Sequence, residues 1–200
     1  MATVRPYRPE DEDALYRICL ETGLAGADAT HLYRDPRVIG HVYAGPYGAL
    51  EPQSCFVAED EQGVAGYVIG AADTYRFEKR LESEWWPKLR ARYPEGSDES
   101  EFDARMIRHF HHPPRTPRKL SESWPAHLHI DLLPRLQGKG MGRHMIDHWL
   151  GAMRARGVKG VHLGVGISNA RAVRFYRAYG FSEISRLPSP YDVIFFGIAL

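Results

Sequence analysis

The sequence predicts an α/β domain, and three stretches carry that expectation. The apolar run 127–133 reads as a strand. It passes through a turn with glycines at 138, 140 and 142 and leaves as a helical pattern in which Met145, Ile146, Trp149, Leu150 and Met153 share one face. Two short apolar runs, 55–59 and 64–70, flank the turn-rich Asp60-Glu61-Gln62-Gly63 and read as a hairpin. Residues 169–181 read as a short amphipathic helix stopped by Gly180, with Ala172, Val173, Tyr176 and Tyr179 on one stripe. At 200 residues the chain suits one domain, 1–200, with a sizeable core.

In chain order, residues 3–7 form a strand candidate. Pro9-Glu10-Asp11-Glu12-Asp13 then opens a helix, with a proline near its start and acids in its first turn. Ala14, Leu15, Ile18 and Cys19 make its inward stripe and Gly23 ends it. Residues 28–43 are expected to hold a second helix interrupted near Pro36, and Gly45-Pro46-Tyr47-Gly48 reads as a turn. After the hairpin, residues 77–93 read as helix, with Leu81, Trp85 and Leu89 at a spacing of four; Pro87 either kinks it or starts a second helix. Gly96-Ser97-Asp98-Glu99-Ser100 is a break with a helix-starting signal, and Phe102, Met106 and Phe110 form the next stripe. Residues 112–117 are extended loop. Arg154, Arg156 and Gly157 close the helix that follows the glycine turn, and Val161, Leu163 and Val165 alternate as a strand. Residues 181–185 and 191–199 give two closing strands joined by Arg186-Leu187-Pro188-Ser189-Pro190. No internal repeat or low-complexity tract occurs.

Composition narrows the function classes. The 26 basic and 25 acidic residues nearly cancel, so no general attraction to nucleic acid or to an anionic membrane is expected. Ten histidines are scattered, and none pairs with Cys19 or Cys55 at zinc-finger spacing, so no metal is expected. The two cysteines are expected to be reduced core residues. The N-terminus lacks the apolar segment of a signal peptide, and no apolar run nears the ~18 residues a membrane span needs, which predicts a cytoplasmic protein.

The glycine turn carries the chemistry. A strand-to-helix turn of this kind aims backbone N–H groups outward together at a helix N-terminus, an anion site best suited to phosphate. A Walker loop fails because Lys139 is followed by Gly140 rather than Ser or Thr. A dinucleotide fingerprint fails because Arg143 stands where its third glycine belongs. What remains is Gln137-x-x-Gly140-x-Gly142; a glycine turn serving packing alone is the competing reading. The spacing resembles the acyl-CoA pyrophosphate loop of the GCN5-related N-acetyltransferase (GNAT) family, Gln/Arg-x-x-Gly-x-Gly/Ala. Asn169-x-x-Ala172-x-x-Phe175-Tyr176-x-x-x-Gly180-Phe181 is similar to that family's second CoA-binding block, and Arg5-Pro6-Tyr7-Arg8-Pro9-Glu10-Asp11 to its opening. Residues 74–124 exceed a minimal member of the family. Trp85-Trp86-Pro87, the hairpin, His129-Ile130-Asp131 and Tyr191-Asp192-Val193-Ile194 resemble the acetyltransferase-like domains of O-GlcNAcases. In the animal domains the pyrophosphate loop is degraded, whereas here Gln137, Gly140 and Gly142 are intact.

The resemblance implies a GNAT fold: a mixed, mostly antiparallel, V-splayed sheet with helices on both faces and a helical insertion at about 74–124, between strands three and four. It implies acetyl-CoA as co-substrate and direct transfer to an amine acceptor, a small molecule or a protein lysine or N-terminus. Gln137, Gly138, Lys139, Gly140, Met141, Gly142 and Arg143 are expected to hold the pyrophosphate, with any Cβ added at 140 or 142 meeting phosphate. Leu132 and Leu133 are expected to bond the pantetheine amides by their backbone, with Gly164 and Gly166 allowing the strands to part. Asn169, Ala172 and Phe175 are expected beside the cofactor. Tyr33, Arg34, His41, Tyr43 and Tyr47 fall where the family's acceptor pocket is bordered. Tyr176 matches the family tyrosine that protonates the leaving thiolate. An alkylammonium with a pKa of about 10.4 must lose a proton before it attacks, so a base is required. His127, His129 and Asp131 alternate onto one face of their strand; Asp131 is the first candidate and His129 the second. An acetyl-CoA-binding or protein-interaction module without turnover stays open beside the enzyme, as does a homodimer.

Overall fold

The computed structural model describes residues 2–96, 100–189 and 192–200. Its sheet comprises β1 (Thr3–Pro6), β2 (Cys55–Asp60), β3 (Gly63–Ala71), β4 (Ala126–Leu132), β5 (Gly160–Gly166), β6 (Ser182–Leu187) and β7 (Val193–Ala199), in the spatial order β1-β2-β3-β4-β5-β7-β6. Neighbours run antiparallel except β4 and β5, which are parallel. That pair is brief: Ala126 lies opposite Val161 and His127 opposite His162, and beyond them the strands part. The V-shaped opening implied by the family resemblance is therefore present, in the middle of the sheet.

Side-chain alternation sorts the helices onto two faces. On one face lie α1 (Glu12–Glu21), α2 (Val38–Tyr43), α3 (Gly45–Leu50) and α4 (Thr74–Arg80); on the other lies α8, whose range is Met141–Ala155. Gly70 of β3 faces α8, since a Cβ there would meet the Trp149 ring at 2.7 Å. Tyr67, of opposite parity, points to the α1 face and reaches Asp131 of β4. The remaining helices are α5 (Trp86–Arg92), α6 (Glu101–His111), α7 (Arg118–Ser123) and α9 (Ala170–Tyr179).

Three expectations need correction. Residues 45–48 are not a turn but the start of α3: Pro46 sits in its first turn, where the missing N–H costs nothing. Gly45 is required there because Tyr16 packs directly against its Cα, leaving no room for a side chain. The helix expected within 28–43 is confined to α2, after Pro36, with a short 3-10 turn at Thr30–Leu32 before it. Residues 118–123, for which the sequence pattern carries no expectation, are helical, with Leu120 as their one apolar residue. The helix expected over 77–93 starts at Thr74, capped by Asp73 accepting from the Arg76 N–H at 2.9 Å. It passes through a π-turn at Leu81–Trp85, and α5 restarts with Pro87 in its first turn. The helix-starting signal at Ser97-Asp98-Glu99, and Pro190 and Tyr191 of the closing segment, lie outside the described residues.

The stripe read on α8 is the centre of the core: Met145, Ile146, Trp149, Leu150 and Met153 are all buried. Trp149 donates its indole N–H to the Ser54 carbonyl at 2.9 Å. Trp149→Ala opens a cavity and leaves that carbonyl unpaired, so chemical denaturation is expected to show a loss of about 3–5 kcal/mol. Cys19 and Cys55 are buried free thiols.

Candidate active site

β4 hands the chain to a 3-10 turn, Pro134–Leu136, and the glycine turn follows. Arg135 bonds Asp60 at 2.9 Å and the Gly63 carbonyl at 3.2 Å, tying the loop to the hairpin and holding the Asp60 carboxyl below its usual range. The Gln137 side-chain amide donates to the Leu132 carbonyl at 2.6 Å, folding the loop back onto the end of β4. Gly138 and Gly140 take φ values of 72° and 79°, a left-handed conformation costing an L side chain ~1–2 kcal/mol. As a result, the backbone N–H groups of residues 138 to 143 have no acceptor among the described residues. The first internal bond of α8 runs from His144 N–H to the Gly140 carbonyl at 3.1 Å. Six consecutive unpartnered donors at a helix start make a strong anion cradle.

Beside these donors lies a cavity of about 450 Å³. Gln137, Gly138, Gly140, Gly142 and Arg143 form its loop wall, and Asn169, Ala172, Phe175 and Tyr176 form the α9 wall. Asp131 and Leu132 of β4 and Thr22 beyond α1 close it. Arg143 is fixed between a bond to the Ala178 carbonyl at 3.2 Å and the Tyr179 ring, 4.8 Å from its centroid. Asn169 caps α9 by accepting from the Ala172 N–H at 3.0 Å.

Two expected contacts change. Leu133 has no backbone group free for a ligand: its N–H goes to the Ala65 carbonyl at 2.8 Å and its carbonyl to the Leu136 N–H at 3.0 Å. That pairing puts 129, 131 and 133 in register with β3, so Leu128, Ile130 and Leu132 turn their backbone groups toward the gap with β5. At Gly142 a Cβ would press on the Phe175 ring at 3.3 Å, so packing against α9 also favours glycine there. Lys139 and Met141 do not line the cavity and offer backbone N–H groups only: Lys139 is exposed and Met141 packs on the core.

Tyr176 is buried among Phe175, Phe181 and Phe196 yet lines the cavity, and its hydroxyl has no hydrogen-bond partner among the described residues. Burial, and then the nearby Asp131, push its pKa above the ordinary tyrosine value, so the hydroxyl stays protonated. Asp131 accepts from the Tyr67 hydroxyl at 2.6 Å. Burial raises the Asp131 pKa above the usual carboxylate value, against the lowering effect of the hydrogen bond from Tyr67.

A second cavity, of about 360 Å³, is lined by other residues of β4 and by β5. His127 and His129 of β4 and Gly164 and Gly166 of β5 reach it from the sheet; Phe77, Trp86 and His109 cover it from the insertion. His129 thus faces this cavity and Asp131 the first, although both share one strand face. Burial lowers the His129 pKa to about 4, which leaves the ring neutral at pH 7. Of the residues expected to border an acceptor pocket, Tyr43 and Tyr47 line it. Tyr33 packs on Phe102, the Arg34 N–H bonds Asp103, and His41 bonds Tyr16 at 2.8 Å, away from the cavity.

Tyr67, Thr22 and the covering residues of the insertion were not legible as site residues. Tyr67 sits opposite Asp131 only once the β3–β4 register is known, and Thr22 is brought in by the end of α1. Among the described residues, no group of three or more His, Cys, Asp or Glu could hold a metal ion, and no helix is long and apolar enough to cross a membrane.

Comparison with known proteins follows this geometry. A family model described as "Acetyltransferase (GNAT) family" matches residues 6–181. Protein O-GlcNAcase of Rattus norvegicus is 29% identical over 202 residues, covering 99% of this chain and 22% of that protein. The chain therefore spans about a fifth of the length of that curated relative. A solved structure described as SsHAT is 41% identical with a TM-score of 0.90, covering 99% of this chain and 98% of that one. The structure of yncA from Salmonella typhimurium, solved with its cofactor acetyl-CoA, shares the fold at 16% identity and a TM-score of 0.59, covering 99% and 93% of the two chains.

Proposed function

The chain belongs to the GNAT acetyltransferase family, and from that premise we propose that it moves an acetyl group directly from acetyl-CoA to an amine. The support for this reading is the row of six unpartnered N–H groups, 138–143, four of whose residues (Gly138, Gly140, Gly142 and Arg143) line one cavity with Tyr176 and Asp131. The row suits a pyrophosphate, and Arg143 adds a fixed cation. The free edge of β4 at Ile130, with the N–H of Leu132, suits the amides of a pantetheine arm, with the Asn169 amide group and Phe175 alongside. The thioester would then lie where β4 and β5 part, between the two cavities.

Asp131 takes the proton of the incoming ammonium, and Tyr176 gives its hydroxyl hydrogen to the departing thiolate. The amine nitrogen attacks the thioester carbon, the carbon–sulfur bond breaks with its electron pair on sulfur, and CoA leaves as the thiol; the second proton shed by the nitrogen restores the one Tyr176 gave up, and Asp131 releases its proton to solvent. A cysteine relay is not supported: Cys19 and Cys55 are buried and their pKa values are pushed up by burial, away from the reactive thiolate. Buried free thiols also fit a reducing compartment, and we place the activity in the cytoplasm.

Titration calorimetry with acetyl-CoA, followed by thiol release across an amine and peptide panel, tests the reading. Saturable binding with thiol release dependent on one acceptor class supports it. No binding at millimolar acetyl-CoA overturns it, and binding without any acetylated amine supports a non-catalytic binding module instead. Gly140→Val is expected to weaken acetyl-CoA binding roughly 10- to 100-fold, because it strains a left-handed position and turns charge-assisted donors out of line. Unchanged affinity for that variant would count against the phosphate cradle.

A further inference from the structure

Behind the second cavity runs a chain of four side chains whose hydrogens follow from elimination. Thr74 Oγ1 lies 2.8 Å from the Pro125 carbonyl, which accepts and cannot donate, so the one hydroxyl hydrogen of Thr74 points there. Thr74 Oγ1 therefore accepts from His127 Nδ1–H at 2.8 Å. Burial lowers the His127 pKa well below its ordinary value, so the ring is neutral and carries a single N–H. Its Nε2 is then bare and accepts the Tyr47 hydroxyl hydrogen at 2.8 Å. The Tyr47 oxygen in turn accepts His129 Nε2–H at 3.0 Å. His129 is left with a bare Nδ1, for which no partner is found among the described residues.

We infer that this cavity receives the acceptor, that His129 Nδ1 takes a hydrogen bond from its amino group, and that the acceptor is a primary amine on a small aromatic or apolar body without carboxylate or phosphate. The inference rests on the acetyl-transfer reading and names its second substrate. The walls are the rings of Tyr43, Phe77 and Trp86, and about 360 Å³ is within the range of small-molecule sites. Among the described residues lining it, Arg115 is the one Lys or Arg; it bonds the Glu78 carbonyl at 3.3 Å and pairs with Glu82 at 3.5 Å. Glu78 also lines the cavity, and its negative charge disfavours an anionic acceptor. His129 and Asp131 stand two apart on one strand face, about 7 Å along the chain, and the inference seats the amino nitrogen between them, where β4 and β5 part. Asp131 takes the ammonium proton; His129 holds a remaining N–H and aims the lone pair at the thioester. Tyr47, His127 and Thr74 are positioning residues that fix the tautomer of His129.

The test combines a tautomer spectrum with acceptor kinetics. Protein labelled with ¹⁵N-histidine is examined at pH 7 by long-range ¹H–¹⁵N correlation, His129→Leu assigning the signal. The expected result is the Nε2–H form for His129 in wild type, lost in Tyr47→Phe. Thiol release is expected with 2-phenylethylamine and at least about tenfold poorer with L-phenylalanine or a lysine peptide. The KM for 2-phenylethylamine is expected to rise about tenfold in His129→Leu and in Tyr47→Phe, while calorimetric acetyl-CoA affinity stays constant. The Nδ1–H form for His129, equal use of L-phenylalanine, or no transfer to 2-phenylethylamine by a protein that binds acetyl-CoA overturns this inference. Failure of wild type to bind acetyl-CoA overturns the acetyl-transfer reading beneath it.

Discussion

Tyr176→Phe is expected to lower the rate of acetyl transfer by roughly 10²-fold while leaving acetyl-CoA affinity nearly unchanged. The substitution removes one oxygen and keeps the ring that packs on Phe181 and Phe196. That hydroxyl has no competing partner among the described residues, so it is free to bond a developing thiolate. Burial raises its pKa, which keeps it a donor at every working pH. Its neighbours are poor substitutes: Phe175 has no hydroxyl, and Tyr179 donates to Asp147 at 2.5 Å. Single-turnover measurements, with chemistry shown to limit the rate, check this. Equal rates for wild type and Tyr176→Phe would remove Tyr176 from the reaction.

Asp131→Asn is expected to cost roughly 10²- to 10⁴-fold in kcat/KM at neutral pH. The amide oxygen can still accept from Tyr67, so the strand pairing keeps its hydrogen bond while the proton acceptor is lost. A carboxylate accepts a proton only when ionised, so wild-type activity falls as pH drops through the Asp131 pKa. Because burial raises that pKa above the usual 3.8, the acidic limb of the profile moves to higher pH than an exposed aspartate gives. The limb attributed to Asp131 is expected to vanish in Asp131→Asn. Full turnover of the variant at neutral pH would show that Asp131 is not the base.

Much of the proposed cofactor cradle can be read from local pattern because it is built of backbone. Gly138, Gly140 and the stripe from Met145 to Met153 fix a strand, a left-handed turn and a helix in sequence order, and that succession makes the cradle. Tyr176 is legible for the same reason, on the inward stripe of one short helix, whereas the cap role of Asn169 shows only in the structure. The acceptor side is different. Tyr47, His127 and Thr74 lie 27 or more residues apart in sequence and meet only after the insertion folds over β4. Their spacing carries no period, and their chemistry depends on which hydrogens the chain of contacts leaves free. Leu133 shows a subtler limit: the apolar run 127–133 reaches it, one residue past the end of β4, but which edge of β4 points to the gap depends on the register with β3.

Amide NMR during an acetyl-CoA titration examines the central claim most directly, since it watches the donors themselves. Saturable shifts of the N–H signals of Gly138, Lys139, Gly140, Met141, Gly142 and Arg143, with Tyr176 and Asn169 perturbed alongside, are expected. Absence of binding at millimolar acetyl-CoA, or saturable binding that leaves these six amides unmoved, would contradict the assignment of this cleft to the cofactor.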